Sequence, residues 1–183
     1  KCKKIGNLYK ILGYGLNGFD IKKKTTIYAG NSGTFARLIL GLLIRTQKVV
    51  KITGDKSLSK RDFFRVTDPL RKFGANIKMK QNSLPVEIIG TEYLKPINYF
   101  ESRGSAQCKS AVMLAALNTP GITRIKAVKS RDHTERMFKQ LQLPIKIRSN
   151  NKFDLIEVLG LKQFDAFDYV VPGDISSSSF FIF

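Results

Sequence analysis

Ser102-Arg103-Gly104-Ser105-Ala106-Gln107-Cys108-Lys109-Ser110 runs directly into Ala111-Val112-Met113-Leu114-Ala115-Ala116-Leu117. The second half consists of strong helix formers, apolar nearly all round, which predicts a helix buried on every side. The first half is small, polar and basic. Small residues let a ligand approach the backbone, and the first turn of a helix presents unpaired N–H groups and a partial positive charge. Ser105, Gln107 and Lys109 add side-chain donors at that end, an arrangement suited to a phosphate or carboxylate. The same residues also suit a plain serine N-cap on a core helix, and that reading stands beside the ligand-binding one.

At 183 residues the chain is long enough to bury one domain, or one domain with a piece of another. Hydrophobic residues at 43% and aromatics at 10% are ordinary for a globular protein and argue against disorder. No run has the apolar length needed to span a membrane, and no signal peptide opens the chain. Two cysteines, Cys2 and Cys108, give neither a disulfide framework nor metal-ligand spacing. With His133 the single histidine, no zinc site is expected.

The formal net charge is +18. So basic a chain suits nucleic acid, a membrane surface or an anionic small molecule. The lysines scatter through predicted hairpins (Lys22-Lys23-Lys24, Lys78, Lys80, Lys146), and aromatics do not alternate with them as a stacking platform requires. That favours the small anion. The chain begins with Lys and stops at Phe180-Phe181-Ile182-Phe183, within what reads as a helix just begun, so an internal fragment of a longer protein is expected.

Three segments, 8–30, 70–90 and 137–160, share one outline: a helix end, a strand, a turn, a second strand and a closing glycine. Apolar residues largely alternate within each, as half-buried hairpin strands require. In the first, residues 8–13 read as the helix end, with Phe19-Asp20-Ile21 and Thr26-Ile27-Tyr28-Ala29 as strands. The last two copies agree at a constant offset of 70: Ile52-Thr53 with Ile122-Thr123, Arg61-Asp62 with Arg131-Asp132, Ile77 with Ile147, Gly90 with Gly160. So long a unit predicts stacked supersecondary copies around a shared core.

Between the hairpins, Phe35, Leu38, Ile39, Leu42 and Leu43 fall on one face of a helix launched by Gly30-Asn31-Ser32-Gly33-Thr34. Residues 49–53 and 122–128 read as strands, and Lys60-Arg61-Asp62 leads into a helix ending at Phe73-Gly74. In Ser130-Arg131-Asp132-His133-Thr134-Glu135 either Ser130 or Asp132 suits the N-cap, with Glu135 three residues after Asp132. Each copy therefore reads βαβαββ. From Val170-Val171-Pro172-Gly173-Asp174 a new strand-to-helix step begins.

Four strand-to-helix junctions, 31–34, 59–62, 105–110 and 130–134, carry polar residues that core packing does not ask for. In a repeat fold these lie at one end of the domain. Two arginines, several helix N-termini and a glutamine then converge on one anion-rich ligand. Arg61 and Arg131 each precede an Asp, so a surface ion pair is the alternative use of each. No serine has a histidine at triad spacing, and no G-x-G-x-x-G or Walker sequence points to a nucleotide cofactor.

Taken together, Gly30-Asn31-Ser32-Gly33-Thr34 with Arg37, Ser57-Leu58-Ser59-Lys60-Arg61, Ser105-Ala106-Gln107-Cys108-Lys109-Ser110, Ser130-Arg131-Asp132-His133-Thr134-Glu135-Arg136-Met137 and Pro172-Gly173-Asp174-Ile175-Ser176-Ser177 resemble the middle of the 5-enolpyruvylshikimate-3-phosphate synthase (3-phosphoshikimate 1-carboxyvinyltransferase) family. The serine-alanine-glutamine version resembles a bacterial subgroup. The resemblance implies an α/β (α+β) fold, an inside-out alpha-beta prism built from three βαβαββ units, helices inside and sheets outside. It implies that residues 1–168 form most of the first domain, its first unit incomplete, and that 169–183 start the second. The activity it implies is transfer of the enolpyruvyl group of phosphoenolpyruvate to the 5-hydroxyl of shikimate 3-phosphate, releasing phosphate. That reaction runs by addition and elimination through a tetrahedral intermediate, with no metal or organic cofactor. A cytoplasmic monomer when full length, with no nucleic-acid or membrane partner, belongs to the same expectation.

Carried over position by position, the resemblance gives Gly33, Arg61 and Gln107 to phosphoenolpyruvate, and Ser105, Ala106, Gln107, Ser130 and Arg131 to shikimate 3-phosphate. Both substrates are polyanions, which guanidinium forks and helix N-termini hold well. Glyphosate would share the phosphoenolpyruvate space, a glycine at 33 marking the sensitive version. Asp62 stands where the family commonly has proline and puts a carboxylate beside Arg61. The family's amino-terminal Lys-Ser, its acid–base carboxylates and its further arginines match nothing here, so no catalytic residue is assigned and the fragment alone is expected to be inactive. A UDP-amino-sugar enolpyruvyl transferase of the same fold is disfavoured by Ser105-Ala106-Gln107 and Ser130-Arg131-Asp132-His133. A non-enzymatic basic nucleic-acid-binding domain is the alternative from another class.

Overall fold

The computed structural model describes residues 2–13, 15–17, 19, 21–173 and 178. It opens with a hairpin of β1 (Cys2–Ile5) and β2 (Leu8–Ile11), joined by Gly6-Asn7 with Gly6 at φ +58. Two-residue loops of this kind match the twist of paired strands. The helix end expected over 8–13 is therefore a strand. The run between Gly6 and Gly13 is too short to nucleate a helix, and the turn pairs it with the strand before it. Residues 19 and 21 carry no strand, and Asp20 lies outside the described residues.

Two complete βαβαββ units follow. The first comprises β3 (Thr25–Tyr28), α1 (Gly33–Leu42), β4 (Val50–Thr53), α2 (Phe64–Phe73), β5 (Asn76–Lys80) and β6 (Ser83–Ile89). The second comprises β7 (Asn98–Glu101), α3 (Ala106–Leu117), β8 (Ile122–Val128), α4 (His133–Gln140), β9 (Ile145–Ser149) and β10 (Phe153–Leu159). Their sheets have the same order, β3-β4-β6-β5 and β7-β8-β10-β9, each with a parallel first pair and antiparallel remainder. The repeat seen in the sequence is thus a repeat of whole units. Ile77 faces Ile88 across one sheet as Ile147 faces Ile156 across the other. The closing glycines also correspond: a Cβ on Gly90 would overlap the Ile44 carbonyl, and one on Gly160 the Thr119 carbonyl.

Helices form the inner layer. α3 buries nine of its twelve residues, Lys109 and Ser110 among them, and packs on α1, α2, β8 and β10, its run from Ala111 to Leu117 being apolar all round. α2 presents Val66, Leu70 and Phe73 to the same core and stops at Gly74, whose φ of +116 lets its N–H reach the Leu70 and Arg71 carbonyls. α1 departs from expectation. Its buried residues are Gly33, Ala36, Leu40 and Gly41; of the five expected on its inner face, Leu43 just past its end is buried, whereas Phe35 is 43% exposed and Leu38, Ile39 and Leu42 are half-buried. Small residues face inward because α1 and α3 approach until backbone meets backbone, and a Cβ on Gly41 would overlap the Ala111 carbonyl. Residues 161–173 carry no strand, so the one expected at Val170-Val171 is absent; 174–177 and 179–183 lie outside the described residues.

Gly41→Ala tests that contact. Alanine is the better helix former by about 1 kcal/mol, but the overlap with Ala111 is with rigid backbone, and overpacking of this kind costs about 1–3 kcal/mol. Urea unfolding of the full-length protein is expected to show a net loss for Gly41→Ala. Gly13→Ala, whose Cβ would meet nothing nearer than 4.0 Å, should be close to neutral.

Candidate anion-binding site

Parallel pairing of β3 with β4 and of β7 with β8 sends all four strand-to-helix loops off the same ends of their sheets. α1 and α3 also run parallel, Thr34 lying by Gln107 at their heads and Gly41 by Ala111 further along both. Both helices begin with a serine cap. Ser32 Oγ accepts the Phe35 N–H at 3.1 Å, and Ser105 Oγ accepts the Cys108 N–H at 3.3 Å. The plain N-cap reading of Ser105 is therefore correct for its side chain. Its own N–H donates to Glu101 Oε2 at 2.7 Å, while Glu101 Oε1 accepts from Arg65 and from the Arg103 N–H, each at 3.3 Å. Buried Glu101 thereby fixes the loop that leads into α3.

Gln107 joins the two units. Its Oε1 accepts from Arg37 Nη1 at 2.9 Å, and its Nε2 donates to Thr34 Oγ1 at 2.7 Å. Arg37 Nη2 donates to the Asp62 carbonyl at 3.1 Å, and its guanidinium lies 4.9 Å from the centre of the buried Phe63 ring. Burial lowers the Arg37 pKa; neighbouring Arg61 and Arg65 act in the same direction, while Cys108 and Asp62 oppose it. Arg61 Nη2 reaches Asn31 Oδ1 at 3.4 Å. Asn31 in turn donates to Asp55 Oδ2 at 2.7 Å, and Asp55 Oδ1 accepts the Leu58 N–H at 2.7 Å. Arg37, Asp62, Arg65, Ser105, Gln107 and Cys108 line a cleft of about 180 Å³. Such a cleft, with clustered guanidinium groups and helix heads, is built for anions.

The family model for EPSP synthase (3-phosphoshikimate 1-carboxyvinyltransferase) matches residues 7–183. The chain belongs to the EPSP synthase family. A relative named 3-phosphoshikimate 1-carboxyvinyltransferase in Endomicrobium trichonymphae is 47% identical over 160 residues, covering 87% of this chain and 36% of the relative. The one in Clostridium tetani is 43% identical over 168 residues, covering 90% of this chain and 37% of the relative. Among solved structures, EPSP synthase from Acinetobacter baumannii superimposes with a TM-score of 0.73 at 37% identity, over 86% of this chain and 35% of that one. The chain thus spans little more than a third of these relatives.

The family motifs fall in two neighbouring groups. Ser105 and Gln107 line the cleft, Ala106 opens α3 beside them, and Gly33 and Arg61 adjoin through Arg37. A Cβ on Gly33 would stand 2.8 Å from Arg37 Nη1 and 3.2 Å from Arg61 Nη1, while its backbone is ordinary helix. The left-handed glycine of that motif is Gly30, at φ +56. Ser130 and Arg131 do not line the cleft. They follow β8 in the next loop, where the Lys129 carbonyl lies 3.4 Å from a Cβ built on Gly104. Ser130 Oγ is buried without a hydrogen-bond partner, and Arg131 is exposed with no polar partner among the described residues.

Neither arginine pairs with the aspartate after it. Asp62 Oδ1 accepts the Phe64 N–H at 2.8 Å, and Asp132 takes Arg136 at 2.9 Å. Asp132 is consequently at the cap position of α4 without capping it, and Glu135 turns inward instead of back to the cap. Reading the sequence alone named Thr34 and Arg37 within a motif but gave neither a binding role, and it left out Arg65 and Glu101. Arg37 had a signal, as the one charged residue of an apolar helix, four residues after Gly33. Glu101 had none, because its role depends on pairing with α2.

Backbone and side-chain donors at Leu58 and Asn31 hold the Asp55 carboxyl below the ordinary carboxylate range. A lowered folded-state value contributes stability that is complete above the unfolded pKa and is lost as pH falls through the folded one. Asp55→Asn should therefore unfold at lower urea than the parent at neutral pH, and the difference should vanish under acid conditions.

Proposed function

We propose that the full-length protein transfers the enolpyruvyl group of phosphoenolpyruvate to the 5-hydroxyl of shikimate 3-phosphate and releases phosphate. Family membership supports this reading, and one observation within the chain carries it: Gln107 stands between the two units, bonded to Arg37 and Thr34 and next to the Ser105 cap. A group so held can face two anionic substrates at once. On this reading Gly33, Arg61 and Gln107 bind phosphoenolpyruvate, with Arg37 behind them. Ser105, Ala106, Gln107, Ser130 and Arg131 bind shikimate 3-phosphate. In the addition step the substrate hydroxyl oxygen bonds to the central carbon of phosphoenolpyruvate and a proton goes to its methylene. Elimination then breaks the bond between the central carbon and the phosphate oxygen and removes a proton from the methyl group formed in the addition, restoring the methylene.

The residues of this chain hold anions and orient them; the proton-transfer groups are assigned to parts of the protein outside residues 1–183. The domain division near residue 168, a monomeric state and a cytoplasmic site of action belong to the same proposal. No helix among the described residues is long and apolar enough to cross a membrane. The UDP-amino-sugar reaction is less well supported, because Ser105-Ala106-Gln107 and Ser130-Arg131 follow the shikimate pattern.

Steady-state phosphate release tests this. The full-length protein should release phosphate from phosphoenolpyruvate only when shikimate 3-phosphate is present, and the 183-residue chain alone should release none. Release driven instead by a UDP-amino sugar would overturn the reading. Gly33→Ala in the active protein should leave the melting temperature nearly unchanged, since its φ is ordinary and the nearest atoms end flexible side chains. Displaced guanidiniums should weaken inhibition by glyphosate more than binding of phosphoenolpyruvate. Parental inhibition by glyphosate would reject the space requirement.

A further inference from the structure

Lys109 is wholly buried and Glu135 nearly so, and each lies just behind a substrate-binding motif. Lys109 is two residues past Gln107 on α3, and Glu135 is four past Arg131 on α4. Lys109 Nζ meets Glu135 Oε1 at 2.5 Å, and neither group has another polar partner among the described residues. Beside them, the Ser110 and Thr134 hydroxyl oxygens are 2.6 Å apart. α4 is otherwise loosely held. It buries only Glu135 and Phe138, packs chiefly on β9, and has no side-chain N-cap because Asp132 is taken by Arg136. Phe138 alone is a single anchor about which the helix can pivot. The second anchor, at the helix head, is the ion pair with the Ser110–Thr134 contact beside it.

An ion pair is a poor choice for that position if stability were its purpose. Two buried charges lacking further hydrogen bonds are commonly matched or bettered by apolar residues of similar volume. What charge adds is a single preferred contact, because attraction in a low-dielectric interior falls steeply with separation. We propose that Lys109 and Glu135 are positioning residues: their contact sets the spacing between Ser105 and Gln107 at the head of α3 and Ser130 and Arg131 at the head of α4. The spacing determines how tightly a phosphorylated substrate is held across the two loops. This inference rests on the function proposed above.

Calorimetric titration of shikimate 3-phosphate into the full-length protein tests it. The double variant Lys109→Met/Glu135→Leu is expected to melt at or above the parent's temperature, yet to bind shikimate 3-phosphate about tenfold more weakly. Its KM for phosphoenolpyruvate should stay at the parental value, which a general loosening of the fold would not allow. A folded double variant that binds as tightly as the parent overturns the inference. Should that variant fail to fold, Glu135→Asp decides, since it keeps both charges and draws the carboxylate back by one methylene from Lys109. About threefold weaker binding supports the brace, and parental binding overturns it. A parent that binds no shikimate 3-phosphate overturns the proposed function and this inference together. Binding by the parent with no change in the folded variants overturns the inference alone.

Discussion

Backbone contact between α1 and α3 at Gly41 and Ala111 is the constraint on which the rest depends. Two helices can lie that close only where one of them lacks a side chain. Once they do, their heads must end side by side. That proximity lets a glutamine on one unit reach an arginine and a threonine on the other, at 2.9 and 2.7 Å. A larger residue at 41 would push the helices apart by part of an ångström or more, and hydrogen bonds weaken steeply beyond their normal length. Packing in the core and geometry at the cleft are in this sense the same fact.

Duplication of the βαβαββ unit explains why the polar loops accumulate at one end. A parallel strand pair sends its two following loops off the same sheet edge, and both units begin with such a pair. Stacking the units through their helices brings these edges together. The charge of +18 then has a local meaning at the cleft, where Arg37, Arg61 and Arg65 gather around the heads of α1 and α2. Their mutual repulsion is offset in part by Asp62 and by Glu101, the latter paired with Arg65. Like charges so clustered favour an anion among the guanidiniums.

Much of this was legible in the sequence, and the failures have physical reasons. Strand alternation in 76–89 and 145–159, and the 70-residue register between Ile77 and Ile147, gave the repeat because both depend on local patterns. Ser105 read as a helix cap and is one. The buried face of α1 was misread because hydrophobic periodicity favours large residues, whereas close helix packing selects Ala36 and Gly41. Residues 8–13 read as a helix end because their segment shares the outline of the two later ones, but a neighbouring strand was available across Gly6-Asn7. Glu135 was read as half of a capping box, a role defined within six residues. Its partner Lys109 is 26 residues away and no local pattern reports it. Ser130 and Arg131, expected to face one pocket with Ser105 and Gln107, occupy the loop adjoining the cleft, and their part in binding belongs to the proposal.

The central claim is that the two units recognise ligand as one site through Gln107 and Arg37. A double-mutant cycle measures this directly, with Arg37→Met, Gln107→Ala and the double variant compared for phosphoenolpyruvate affinity in the full-length protein. If the cross-unit bond organises the site, the effects are non-additive, with a coupling energy of about 1 kcal/mol or more. Effects that add to within about 0.3 kcal/mol would show that the two residues act independently, and would contradict the account.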